Sequence, residues 1–312
     1  MKSLRKYITA AGILFATSIG FAQDDMKEKE EMADEPVQEQ SNIQQYTPSK
    51  LIGKGQVDLK WFNNLYTQTE STFSEGTEPR QTFFTSSLDV FTGVSKSNRV
   101  NLGVILELRS NVIGGRDALD VFSFDGERGT ARSGLTSIAP AIKFVPFASV
   151  DNFSIQSSFS IPLIDQETDQ GVFLDQDGFT WQNRFFYDYT FGGGDWQVFA
   201  ELNSELHFGE EAVFDSNFDT VEGSFANDSL NLTPGVFLSY FPSSKFTVLV
   251  LAQHSQRLDL GNDFEQDFTA VGGGAKYQLT DEINVETLYT NFVRGNNTGL
   301  GATFNLGLRA VF

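Results

Sequence analysis

The chain has no cysteine and only two histidines, His207 and His254. The first absence excludes disulfides, thiolate metal sites and an acylated N-terminal lipoprotein cysteine. Two histidines cannot build a multi-histidine metal centre. Basic residues are also scarce: 22 Lys and Arg stand against 41 Asp and Glu, a formal net charge of −19. A nucleic-acid surface needs a basic patch, and none is visible, so no nucleic-acid partner is expected. Long apolar runs are missing too. A helix crossing a bilayer needs about 20 apolar residues, and the stretch at 8–22 falls short.

That stretch follows a basic head of Lys2, Arg5 and Lys6 and ends in the small residues Gly20 and Ala22. This is the layout of a secretory signal spanning 1–22, with the mature chain starting at Gln23. Next comes "DDMKEKEEMADEPVQEQSNIQQYTPSK", in which eight acids face Lys27 and Lys29 across 24–40. So few large apolar residues cannot bury enough surface to fold, and a flexible acidic leader is expected over 23–50.

From Leu51 onward the chain alternates. "RVNLGVILELRS" puts Val100, Leu102, Val104, Leu106 and Leu108 on one face, with Asn101, Gly103, Ile105, Glu107 and Arg109 on the other. Period-2 patterning of this kind reads as strand. It recurs at 55–68, 80–93, 99–112, 133–146, 152–164, 178–191, 195–208, 229–241, 245–258, 267–279, 283–293 and 299–312. These segments are longer than ordinary strands of about 5–6 residues and meet the about 9–11 that a tilted membrane strand needs. Short turns such as "SKSN", "GGGD" and "PSSK" alternate with longer connections at 69–79, 113–132, 165–177, 209–228, 259–266 and 294–298.

Phenylalanine is abundant, at 31 residues. Trp61, Trp181, Trp196, Tyr187, Tyr189, Phe208, Tyr240, Tyr277, Tyr289 and Phe312 fall on the outward faces, many near a rim, as interfacial girdles require. A soluble β-sandwich alternates as well, but it has no need of such girdles. Hydrocarbon supplies no hydrogen-bond partners, so a sheet crosses it only when closed edge to edge. The expected fold is all-β: a transmembrane antiparallel up-and-down β-barrel of about twelve strands over 51–312. Its last strand pairs with its first. An even strand count puts both termini on the short-turn side, which in such barrels is periplasmic, with the long loops extracellular.

The ending "TFNLGLRAVF" resembles that of Gram-negative outer-membrane β-barrel proteins. That resemblance implies an outer-membrane location, contact with outer-membrane lipid, and a C-terminal aromatic, here Phe312, read by the barrel-assembly machinery. The "GFAQ" that closes the signal is similar to signal peptides of the Bacteroidota. Size, strand spacing and the signal-plus-barrel layout look like the transporter-like barrels grouped with phenol-degradation gene clusters.

By alternation the inward charges are Asp58, Lys60, Asp89, Glu107, Arg109, Lys143, Arg184, Asp188, Glu201, Glu205, His207, Lys276, Glu286 and Arg309. One reading is a narrow charged lumen, with these residues as pore lining, for passive passage of small solutes in the manner of a porin or transporter. The other is a set of structural ion pairs that fill the barrel. Small inward residues Ser154, Ser158, Ser160, Gly272 and Gly274 favour some free space. The acidic loops at 165–177 and 209–228 would favour cationic or neutral solutes.

Catalysis is not expected. Outer-membrane phospholipase A uses a His-x-Ser pair, whereas here Ser255 follows His254 directly and Gly209 stands two after His207. Omptin-type proteases need paired aspartates that His207 lacks. No metal ligand set and no cofactor are expected. The alternative to a channel is a non-conducting accessory barrel in an envelope complex, with protein partners docked through the acidic leader.

Overall fold

The computed structural model describes residues 47–216 and 220–312, so the expected signal and most of the expected leader lie outside the described residues. Twelve long strands follow in order: β1 (Val57–Ser71), β2 (Gln81–Gly93), β3 (Val100–Val112), β4 (Ala131–Phe144), β5 (Phe153–Pro162), β6 (Thr180–Thr190), β7 (Trp196–His207), β8 (Ser229–Ser243), β9 (Phe246–Asp259), β10 (Gln266–Gln278), β11 (Ile283–Asn296) and β12 (Gly299–Val311). Each pairs antiparallel with its chain neighbours, and β12 returns to β1, so the sheet is a closed barrel. At the seam Lys60 faces Arg309, Trp61 faces Leu308 and Phe62 faces Gly307. Reciprocal bonds between the backbones of Val57 and Phe312, at 2.9 and 3.0 Å, finish it.

Alternation decides which way each side chain points. On β7, Gln197, Phe199 and His207 are buried toward the lumen, while Trp196 points out. Trp61 and Trp196 remain 48% and 46% exposed, and Tyr187, Tyr189, Tyr277, Tyr289 and Phe312 are exposed as well. Side chains this large and apolar on an outer wall fit lipid and not water.

The loops at the long-loop end take two courses. The connection at 113–130 folds onto the outer wall, where its helical turn Ala118–Ser123 buries Val121 against Phe84, Val112 and Ala131. Ser110 fixes it by donating its hydroxyl to the Val121 carbonyl at 2.6 Å. The connection at 163–179 folds inward. Asn111 donates to the carbonyls of Phe173 and Leu174 at 2.7 and 3.1 Å, and Arg132 to those of Gln166 and Glu167. Within this loop Val172 and Leu174 are buried.

At the short-turn end, residues 47–56 run along the inner rim from β6 toward β1. Thr47 donates to Asp188 at 3.1 Å, and Lys143 donates to the carbonyls of Pro48 and Lys50. The Asn101 amide clasps the backbone of Ile52, with both contacts at 3.2 Å. The strap passes so close to the end of β2 that a Cβ on Gly93 would lie 1.9 Å from the Gly53 carbonyl oxygen, so only glycine fits. The expected leader boundary at residue 50 therefore falls inside a packed segment, since Thr47 and Ser49 are buried against the barrel wall.

Candidate functional site: the barrel lumen

Inside the barrel lies a cavity of about 400 Å³. Its wall carries Asp58, Lys60, Asp89, Glu107, Lys143, Arg184, Glu201, Lys276, Glu286 and Arg309, ten of the fourteen charged residues placed inward by alternation. The others stand apart from it. Arg109, Glu205 and His207 lie nearer the long-loop end, and Asp188 sits under the strap, bonded to Thr47.

Most of these charges are closed into pairs. Arg309 grips Asp58 through two hydrogen bonds, at 2.9 and 2.6 Å. Arg184 binds Glu201 at 2.9 and 2.7 Å, and Lys276 meets Glu286 directly across the β10–β11 ladder. Arg109 joins the wall to the inward loop, contacting Glu107 at 2.7 Å and Asp175 at 3.0 Å. Glu205 accepts bonds from Gln182, Asn203 and Asn231. Charge-assisted bonds of this kind fix the positions of long side chains and give the lumen a defined shape.

Lumen charges alone leave out half of the wall. Phe186 stacks on Phe199 with ring centroids 6.0 Å apart, and Phe199 meets Phe237 at 5.3 Å. Phe241, Leu249 and Leu288 extend this apolar sector along the same cavity. Two cations border it: Arg184 and Lys143 lie 5.0 and 5.3 Å from the Phe186 ring. The signal for this sector was weak. Phe186 follows Phe185 directly, which blurs the alternation, and "TVLVLAQ" on β9 is apolar on both faces.

Both ends of the lumen are covered. The strap at 47–56 narrows the short-turn end. At the other end, Phe173, Phe225 and Phe264 come from three different loops and meet edge to face, at 5.4 and 5.3 Å. The Arg257 guanidinium lies 5.5 Å from the Phe225 ring. In the inward loop, burial pushes the Asp177 carboxyl above its ordinary value.

Each histidine bonds a threonine hydroxyl on the facing strand. His207 bonds to Thr180 at 2.9 Å, with Glu205 3.9 Å away. His254 bonds to Thr269 at 3.0 Å on the outer face, while Ser255 is buried on the inner face and donates to Asn231. Among the described residues no three potential metal-binding side chains come together.

No protein-family model matches the chain, and no curated protein does. Solved structures do. An outer membrane channel from Pseudomonas putida F1 is 12% identical over 85% of this chain and 98% of its own, with a TM-score of 0.62. The β domain of the Bordetella autotransporter BrkA is 14% identical over 82% of this chain and 99% of its own, with a TM-score of 0.52. What these proteins share with this chain is the fold, a closed antiparallel β-barrel of the outer-membrane kind.

Proposed function

We propose that this chain is an outer-membrane channel that lets small solutes cross passively through its lumen. The observation that carries this reading is the cavity itself. A barrel built only as a scaffold fills its interior with side chains, whereas this one keeps about 400 Å³ of space between a charged and an aromatic sector. Small-molecule sites are commonly about 300–1,000 Å³ and combine apolar walls with a few placed polar groups. The lumen is thus suited to small amphipathic solutes, and the acidic loops favour neutral or cationic ones over anions.

In this reading both termini are periplasmic, the long loops face outward, and Phe312 serves the barrel-assembly machinery. Liposomes carrying the purified chain should swell in isotonic arabinose faster than empty ones, and more slowly in larger sugars. Swelling no faster than that of empty liposomes would contradict a channel.

The covered ends favour a second reading, a non-conducting barrel that docks envelope partners through its acidic leader. Deleting 24–45 separates the two. Loss of co-purifying proteins with unchanged permeability supports docking, and a change in permeability alone supports the channel.

A further inference from the structure

Two lysine–carboxylate couples in the lumen have the same register and different outcomes. Lys276 and Glu286 stand directly opposite each other on β10 and β11, and their side chains meet. Lys60 and Asp89 stand directly opposite each other on β1 and β2. Both line the cavity, yet they do not close into an ion pair. The Lys60 ammonium lies 5.3 Å from the Phe62 ring. An aspartate is one methylene shorter than a glutamate, so the ladder that lets Lys276 reach its partner leaves a gap here.

The neighbouring charges do not fill that gap. Asp58 is held by Arg309, and Glu201 by Arg184. Lys143 is engaged by the strap carbonyls. One cation and one anion therefore remain side by side, facing the same cavity as Phe186, Phe199 and Phe237.

Resting on the reading of the lumen as a solute path, we propose that Lys60 and Asp89 form a head-group site for zwitterions, and that the solutes this channel favours are free α-amino acids with apolar side chains. The solute carboxylate sits on Lys60 and its ammonium on Asp89, while its side chain lies against the phenylalanine sector. An anion would satisfy Lys60 but face Asp89 with like charge, and an amine would do the reverse. Only a zwitterion satisfies both. Having no net charge, it also crosses the acidic loops without repulsion. Weak, reversible binding is what conduction needs: strong enough to enter, loose enough to leave.

The test uses three solutes with one ring and different heads: L-phenylalanine, phenethylamine and 3-phenylpropionate. Entry into liposomes carrying the full chain is measured beside entry of arabinose, with the rate in empty liposomes subtracted. L-phenylalanine should enter at least about ten-fold faster than either analogue, a difference of about 1.4 kcal/mol. Lys60→Gln should abolish its lead over phenethylamine, and Asp89→Asn its lead over 3-phenylpropionate. Arabinose entry with no lead for L-phenylalanine in the unmodified protein would overturn the zwitterion site and leave the channel standing. Failure of arabinose to enter as well would remove both.

Discussion

Arg309 on the last strand holds Asp58 on the first, Nε to Oδ1 at 2.9 Å and Nη2 to Oδ2 at 2.6 Å, across the seam where the barrel closes. Both side chains are largely buried, at 15% and 16% exposure. Hydrogen bonds to charged groups contribute about 1.5–3 kcal/mol each, and truncating one partner leaves the other charge unpaired in the wall. Arg309→Ala should therefore lower the temperature at which the folded, fast-migrating form is lost on SDS gels. The exchange Asp58→Arg with Arg309→Asp should recover part of it. Equal melting of Arg309→Ala and the parent protein would show that the pair does not secure the seam.

The strap at 47–56 hangs on Lys143, whose ammonium donates to two of its carbonyls. Lys143→Met keeps the length of the side chain and removes those donors. Single-channel conductance in planar bilayers should rise, and deleting 47–52 should raise it further. Identical conductance in all three proteins would mean that the strap does not limit passage.

At the other mouth, Phe225 makes both contacts of the three-ring cap. Aromatic pairs contribute about 0.5–1.5 kcal/mol each beyond burial, so Phe225→Ala should cost the cap about 1–3 kcal/mol. Backbone amides in 163–179 and 260–265 should then exchange hydrogen faster, and solutes should enter faster. Unaltered exchange in both loops would show that the rings do not hold them together.

On the outer-wall loop, Arg116 contacts Asp120, Asp125 and Glu127. Its hydrogen bonds, with that of Ser123, hold the Asp125 carboxyl well below the usual carboxylate range. A depressed value stabilises the folded loop above the ordinary aspartate range. That stabilisation fades as pH falls through the range and is gone below the folded value. Protease cleavage within 113–130 should thus be slow at neutral pH and quicken as the solution is acidified below about pH 4. Asp125→Asn should be cleaved quickly at neutral pH already. A parent loop equally resistant at pH 7 and pH 3 would rule out this clamp.

The strands were legible because period-2 patterning survives wherever one face meets lipid and the other a polar lumen. All twelve segments correspond to strands, with ends shifted by a few residues, as in β11, which runs on to Asn296. Partner choice inside the lumen was not legible. Alternation puts Lys60, Asp89, Lys276 and Glu286 on the inner face, but side-chain reach decides which of them meet. The inward phenylalanines were masked where apolar residues are adjacent, as at Phe185 and Phe186. Loop courses escaped altogether. Nothing in "DQETDQGVFLDQD" says that it folds into the barrel, because its anchors, Asn111 and Arg132, lie on distant strands.

The chain has no cysteine, so single cysteines report their surroundings without background. Cysteines placed one at a time at 200, 201, 202 and 203 on β7, in protein reconstituted into vesicles, would be challenged with a small charged thiol reagent that does not enter lipid. Reaction at Glu201→Cys and Asn203→Cys, with protection at Ala200→Cys and Leu202→Cys, is the predicted result. Equal reaction at all four positions, or the opposite alternation, would contradict a barrel whose inside is open to small solutes and whose outside is covered by lipid.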